Sequence, residues 1–320
     1  VMENYYRYVG EANNERIQNR SGFYKVPRRI VAPTGADEPF YYSIETHYGA
    51  SDHMVFNDWG VQVPGVMMIV WPDQWYHTSG DRIDKSDPTQ MKRVAVIGAA
   101  AAYTVASADD DMAIRLAGEI VSNGTSRLGH QFIISQEFLN GATAESLADA
   151  YELARAHIVG TVMAEKETVE SVLELVEDRG RVGDYLEEMQ AALDAIGEAH
   201  LQALETHMEA AAARLGTRAV GFSQTELERT ASRIVPSQTA LVKRDGYGGT
   251  RQHIQSVPAN VRARYPYQGI NTSELQHLID GRHSALDIKV MLDAQDSELN
   301  DLQAVLNYLE VLKAAGLIEM

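Results

Sequence analysis

The chain has 320 residues, of which 45% are hydrophobic and 23% charged, as is usual for a globular protein of two or three domains. It contains no cysteine, which excludes disulfides, thiolate nucleophiles and Cys-based zinc sites, so any bound metal must use His, Asp and Glu. The net charge of -17 argues against general nucleic-acid binding, and no apolar run is long enough to predict a membrane span.

The first predicted elements belong to an α/β arrangement. Phe40–Thr46 is rich in aromatic residues, which is typical of a strand. Ser51 is the predicted N-cap of a short helix, Asp52–Trp59, which Gly60 ends. Val63–Val70 is almost continuously apolar, and this pattern predicts a strand that is covered on both faces.

A polar loop, Trp71–Ser86, follows the second predicted strand. Asp87 then caps a helix that has Pro88 at its first position and continues to about Ala106. Ligands of open α/β sheets bind at the carboxyl ends of the strands. The loop is therefore where we expect a functional site.

The remainder of the chain divides by composition into three parts. Residues 109–216 show helical periodicity of apolar residues and are predicted to form several helices. Residues 217–267 carry eight Lys or Arg against three acids and are predicted to be a basic connecting segment, because their aromatic residues are not interleaved with the cations as in a nucleic-acid arm. Residues 268–320, the C-terminal module, carry three cations against nine acids.

The C-terminal module is predicted to be winged-helix-like. Its first helix spans Ser273–Ile279, and Ser284 caps the second, Ala285–Leu292. Asp296 or Ser297 is expected to cap the third helix, and the final residues begin a strand. The acidic charge favours packing or protein contact over DNA binding.

Side chains suited to metal chemistry lie at both predicted strand ends. Asp52 and His53 follow the first strand, while Tyr76, His77 and Asp81 follow the second. Neighbouring strand ends can bring these groups to one cleft, where an imidazole with a carboxylate behind it is the usual arrangement of a zinc ligand. The alternative is structural: the aspartates then act as cap and turn residues, and His77 is a surface residue.

The order of these residues resembles a known family. SDHMVF at 51–56, the Val-Pro strand and YHTSGDRID at 76–84 resemble the C-terminal part of the catalytic domain of co-catalytic zinc aminopeptidases, a family that includes glutaminyl cyclases. The resemblance covers residues 40–106 and implies a partial three-layer α/β/α domain within residues 1–108.

The resemblance also implies roles for single residues. His77 matches the last zinc ligand of the family, while Asp52 and His53 match the polar pair that lines the cleft. Tyr76 and Asp81 match the positions that flank the ligand. The family uses two zinc ions, and a Glu acts as general base on metal-bound water.

The other ligands and the general base of the family lie N-terminal to this region. In residues 1–48 the candidates match by residue type alone, without a motif: Glu3, Glu11, Glu15, Asp37, Glu38, Glu45 and His47. We therefore expect a fragment of a secreted or periplasmic zinc aminopeptidase that is inactive alone and binds zinc weakly. Its substrate would be a peptide with a free N-terminus, and its Leu-rich helices could pair in a homo-oligomer.

Two other functions remain open. One is a glutaminyl cyclase-like zinc acyltransferase, although such enzymes favour Trp before the ligand where this chain has Tyr76. The other is a non-catalytic interaction protein, in which the helical region and the acidic module bind a partner.

Overall fold

The computed structural model describes residues 1–18, 40–44 and 51–320 of the chain. Helices dominate these ranges. The longer helices are α1 (Met2–Gln18), α3 (Pro88–Ala106), α4 (Asp110–Gly141), α5 (Leu147–Glu170), α6 (Arg179–Leu215) and α13 (Leu302–Ala314). The shorter helices are α2 (His53–Asn57), α7 (Glu226–Ala231), α8 (Ala240–Asp245), α9 (Thr250–Ser256), α10 (Ala259–Arg262), α11 (Thr272–His277) and α12 (Ala285–Asp293).

The prediction of a three-layer α/β/α domain is wrong. The strands within the described ranges are β1 (Ser237–Gln238) and β2 (Ile318–Glu319), which pair antiparallel and include none of the predicted strand residues 40–46 and 63–70. Val63–Val70 forms no regular secondary structure, and residues 40–44 of the first predicted strand form none either. Residues 45 and 46 of that strand lie outside the described residues.

The reason for this error lies in strand pairing. An apolar run becomes a strand only where neighbouring strands accept its backbone hydrogen bonds and other layers cover its faces. Here the apolar side chains are left in solvent, with Val66 57% exposed and Val70 79% exposed. Apolar composition alone therefore overstated the case for a sheet.

The chain divides into two compact units, which are described separately. The first unit contains residues 1–46, 67–119 and 172–182, and the second contains residues 47–66, 120–171 and 183–320. No helix of the described ranges is both long and apolar enough to cross a membrane.

Helices α1 and α3 pack together in the first unit. The Tyr5 hydroxyl lies 2.7 Å from the Thr104 Oγ1, and the Phe40 ring stacks on that of Tyr6 with 5.9 Å between centroids. The N-terminus of α3 is as predicted, because the Asp87 carboxylate accepts hydrogen bonds from the first-turn amides and Pro88 stands at its start. Ile97 is fully buried on this helix.

Helices α4, α5 and α6, which lie within the region predicted to be helical, share a core in the second unit. Its fully buried large side chains come from all three helices and include Leu139, Ile158 and Leu204. The buried Ser135 hydroxyl donates to the Ala154 carbonyl oxygen and so links α4 to α5. Helix α5 is thus packed against both α4 and α6.

A second core forms around the C-terminal module. Residues 217–267, predicted as a basic connecting segment, include α7 to α10 and supply Ala231, Val242 and Tyr247 to this core. Trp59 packs against the same core, and its Nε1 donates to the Gln276 carbonyl oxygen at 3.3 Å.

The module follows the predicted order of three helices and a strand. Ser284 caps α12 with a capping box that involves Asp287, as expected from the sequence, and β2 begins at Ile318. The predicted caps of the last helix are wrong, since Asp301 caps α13. Its winged-helix character stays a prediction.

The module is joined to α5 by an interface that we call the α5 junction. Helix α12 packs along α5 at Gly160, where a Cβ would lie 2.6 Å from the Ala294 Cβ. Polar pairs flank this close approach: Lys289 Nζ lies 2.6 Å from Glu152 Oε1, and His157 Nε2 lies 2.9 Å from the Asp296 carbonyl oxygen. The junction therefore combines close packing with charge pairing.

Candidate functional site

The loop 71–86 presents a stack of aromatic rings. The Tyr76 and His77 rings are nearly parallel, with 3.8 Å between centroids, and Trp71 meets Tyr76 edge to face at 5.8 Å. Lys85 Nζ lies 4.7 Å above the Trp75 ring. Stacking of this kind limits the orientations that the imidazole of His77 can adopt.

Local hydrogen bonds hold the backbone of the same loop. The Thr78 hydroxyl donates to the Trp75 carbonyl oxygen at 2.7 Å, and the Asp81 amide donates to the Thr78 carbonyl oxygen at 3.2 Å. The Asp73 carboxylate accepts from the Trp75 amide at 2.8 Å. The Trp71–Pro72 peptide bond is cis.

His77 itself has an unusual backbone conformation. Its φ is 57°, in the left-handed region that residues with a Cβ rarely enter. Such strained residues persist only where their surroundings fix them, and they occur often at functional sites. The side chain is exposed to solvent, together with those of Tyr76 and Asp81.

Asp52 and His53 stand at the start of α2 in the second unit. Asp52, rather than the predicted Ser51, is the N-cap, and its exposed carboxylate makes no capping hydrogen bond. Helix α2 ends at Asn57, two residues before the predicted end at Trp59. A hydrogen bond anchors the end of α2 to a later part of the chain: the Asp58 carboxylate accepts it from the Tyr247 amide at 2.7 Å.

The structure therefore brings together only part of the predicted site. Tyr76, His77 and Asp81 share one loop in the first unit, whereas Asp52 and His53 lie in the second unit. Their convergence in one cleft stays a prediction.

The described residues do not supply a complete zinc site around His77. Within the ranges that the structure describes, the one group of three or more potential ligands that lie close together is Glu167, Asp280 and His283, which does not include His77. Glu3, one of the candidates chosen by residue type, pairs with Arg7 at 2.8 Å. Asp37, Glu38, Glu45 and His47 lie outside the described residues, as do the side chains of Glu11 and Glu15.

Sequence reasoning missed the group Glu167–Asp280–His283. Glu167 lies on α5, while Asp280 and His283 lie in the C-terminal module. Only the spacing of Asp280 and His283, three residues apart before a helix, was visible in the sequence. The pairing with Glu167 arises from tertiary packing that no local pattern indicates.

Comparison with known proteins identifies the segment that contains the loop. The model of peptidase family M28 matches residues 5–102, which is less than a third of the chain, and confirms the resemblance to that family over these residues. No curated protein and no solved structure matches the chain. The family match indicates a peptidase, and hence a hydrolase, for this segment.

Proposed function

We propose that residues 5–102, which match peptidase family M28, contribute a ligand-bearing loop to a zinc aminopeptidase, with His77 as a zinc ligand. The observation that carries the proposal is the conformation of His77 within the matched segment. The His77 imidazole has a positive backbone φ, stacks on Tyr76 and is exposed to solvent. It is thus positioned to bind a zinc ion whose other ligands come from elsewhere.

We assign the ligands that complete the site to parts of the protein outside the described residues. A zinc site in a peptidase holds three protein ligands and leaves one position for water. Within the described part of the chain, His77 belongs to no group of three or more potential ligands that lie close together. Bound zinc would supply a metal-activated hydroxide, and we assign no catalytic step to the residues described here.

Other loop residues would position the ligand. Tyr76 stacks on the imidazole, and Asp52 or Asp81, as predicted from the sequence, would accept a hydrogen bond from its second ring N–H in the assembled site. Tyr76 also favours a peptidase over a glutaminyl cyclase, because the cyclases favour Trp at this position.

Zinc binding by the isolated chain tests the role of His77. Because the described residues place no complete set of ligands around His77, we expect weak binding, and we expect His77→Ala to remove it. Equilibrium dialysis with metal analysis measures both values.

Two further variants complete the zinc experiment. His130→Gln changes an exposed histidine on α4, and His283→Gln changes the histidine of the other cluster. Both are expected to bind zinc as the unchanged chain does. Tight binding of two zinc ions, or loss of zinc in His283→Gln but not in His77→Ala, would contradict the proposal.

A further inference from the structure

His283 lies between two carboxylates in the α5 junction. Its Nε2 is 2.7 Å from Glu167 Oε1 on α5, and its Nδ1 is 3.1 Å from Asp280 Oδ2 on its own loop. The side chain of His283 is only 12% exposed. Beside it, Arg282 pairs with Glu170 of α5 at 2.8 Å.

The geometry fits a proton better than a metal ion. Each ring nitrogen faces its own carboxylate, and a neutral imidazole has one N–H for two acceptors. Two ligand atoms of a tetrahedral zinc are about 3.3 Å apart, since each lies about 2.0–2.1 Å from the metal. The 2.7 Å separation between Nε2 and Glu167 is instead that of a charge-assisted hydrogen bond.

Charge balance around the ring points the same way. The charged groups that face His283 or its neighbour are Glu167 and Glu170 of α5, together with Asp280 and Arg282 of the loop. These groups are three carboxylates and one guanidinium. With a neutral imidazole, two negative charges would therefore remain uncompensated at the junction. Protonation of His283 reduces this excess to one.

We propose that protonated His283 is a pH-sensitive clamp that fixes the C-terminal module to α5, strongest in mildly acidic solution and weaker in alkaline solution. The proposal is independent of the peptidase assignment, because all the residues involved lie outside residues 5–102. The other contacts of the junction do not involve this proton, so alkaline pH weakens the junction without abolishing it.

The direction of the effect follows from the two ionisations. Hydrogen bonds to Asp280 and Glu167 raise the pKa of His283 from 6.5 to about 10, although burial opposes them. Stabilisation by the imidazolium is therefore complete below pH 6.5, declines above it and is lost near pH 10.

Asp280 sets the acid limit. Burial raises its pKa, but hydrogen bonds from His283 and Arg282 outweigh burial and lower the pKa from 3.8 to about 2. This contribution is present above pH 3.8 and is lost as the pH falls towards 2. The clamp is thus fully formed between about pH 4 and pH 6.5.

Thermal unfolding of His283→Gln at two pH values tests the clamp. At pH 6 we expect the variant to melt several degrees below the unchanged chain, because the two carboxylates lose their cation. At pH 10 the difference should be small, because the pKa of His283 is about 10 and its protonation then adds little stability relative to the unfolded chain. His130→Gln, an exposed histidine on α4, should melt as the unchanged chain does at both values.

Two measurements on the unchanged chain make the test independent of the variant. Nitrogen NMR of the histidine rings at pH 8.5 should show a ring with both nitrogens protonated among the ten histidines. Titration of every ring at or below pH 7.5 would overturn the proposal, as would an equal melting difference at pH 6 and pH 10. A rise in melting temperature with added zinc that His283→Gln removes would assign the cluster to a metal instead.

Discussion

Replacing Lys289 by methionine is expected to lower the free energy of unfolding by about 3–5 kcal/mol. Lys289 is 5% exposed, and its Nζ lies 2.7 Å from Oδ2 of Asp293, which is fully buried. The variant keeps the aliphatic volume but leaves the Asp293 carboxylate without its cation. Urea denaturation at pH 7 measures the loss.

A matched control and a second variant separate charge from packing. Lys313→Met on α13 removes an exposed lysine and should change stability by less than about 0.5 kcal/mol. The double variant Lys289→Met with Asp293→Asn should recover part of the loss, because no charge then remains buried. Equal losses for the two lysine variants would contradict this account of the junction.

The pH dependence of the Lys289→Met effect provides an internal check. Burial raises the pKa of Asp293, although Lys289 opposes this effect. Without the lysine, the carboxyl group takes up a proton more readily, so the loss of stability should shrink as the pH is lowered from 7 to 4.

Replacing Gly160 by alanine is expected to cost about 1–3 kcal/mol, although alanine is normally the better helix former. The new Cβ would lie 2.6 Å from the Ala294 Cβ and 3.1 Å from the Val290 carbonyl oxygen. Helices α5 and α12 would have to separate, and the neighbouring Lys289–Glu152 pair would be disturbed. Thermal and urea denaturation report the effect.

Replacing Gly129 by alanine, in the same unit, is expected to have the opposite effect on stability to Gly160→Ala. Gly129 lies inside α4, and, apart from the adjacent residues and the backbone of α4 itself, no described atom lies within 4 Å of the Cβ that alanine would add. Gly129→Ala should therefore stabilise the protein by about 0.5–1 kcal/mol. Stabilisation by both alanine substitutions would show that the α5 junction is looser than described.

Elements with strong local signals were predicted well from the sequence. The Asp87–Pro88 pair fixed the start of α3, and Ser284 fixed that of α12, because side chains at these positions bind the first amides of the helix directly. The helical region between residues 109 and 216 was also identified, since its apolar residues recur at helical spacing.

Elements that depend on distant partners were not predicted. The run Val63–Val70 had the composition of a buried strand, but no strand of the described ranges pairs with it. Asp296 was a reasonable cap by residue type, yet its carboxylate accepts from Asn300 and its carbonyl oxygen contacts His157. In both cases a long-range contact, or the lack of one, decided the outcome.

In the candidate site, too, local features were predictable from the sequence and features that depend on packing were not. The sequence placed Tyr76, His77 and Asp81 in one loop, and their common role at a site stays a prediction. It gave no sign of the positive φ at His77, nor of the pairing between His283 and Glu167, because both depend on packing.

One activity assay tests the central claim most directly. It compares the hydrolysis of aminoacyl-anilides, in the presence of zinc, by the protein as its source produces it and by its His77→Ala variant. We expect kcat/KM to fall about 100-fold or more in the variant, as loss of a metal ligand requires. Full activity of His77→Ala would contradict the claim, as would cyclisation of N-terminal glutaminyl peptides without any hydrolysis of the anilides.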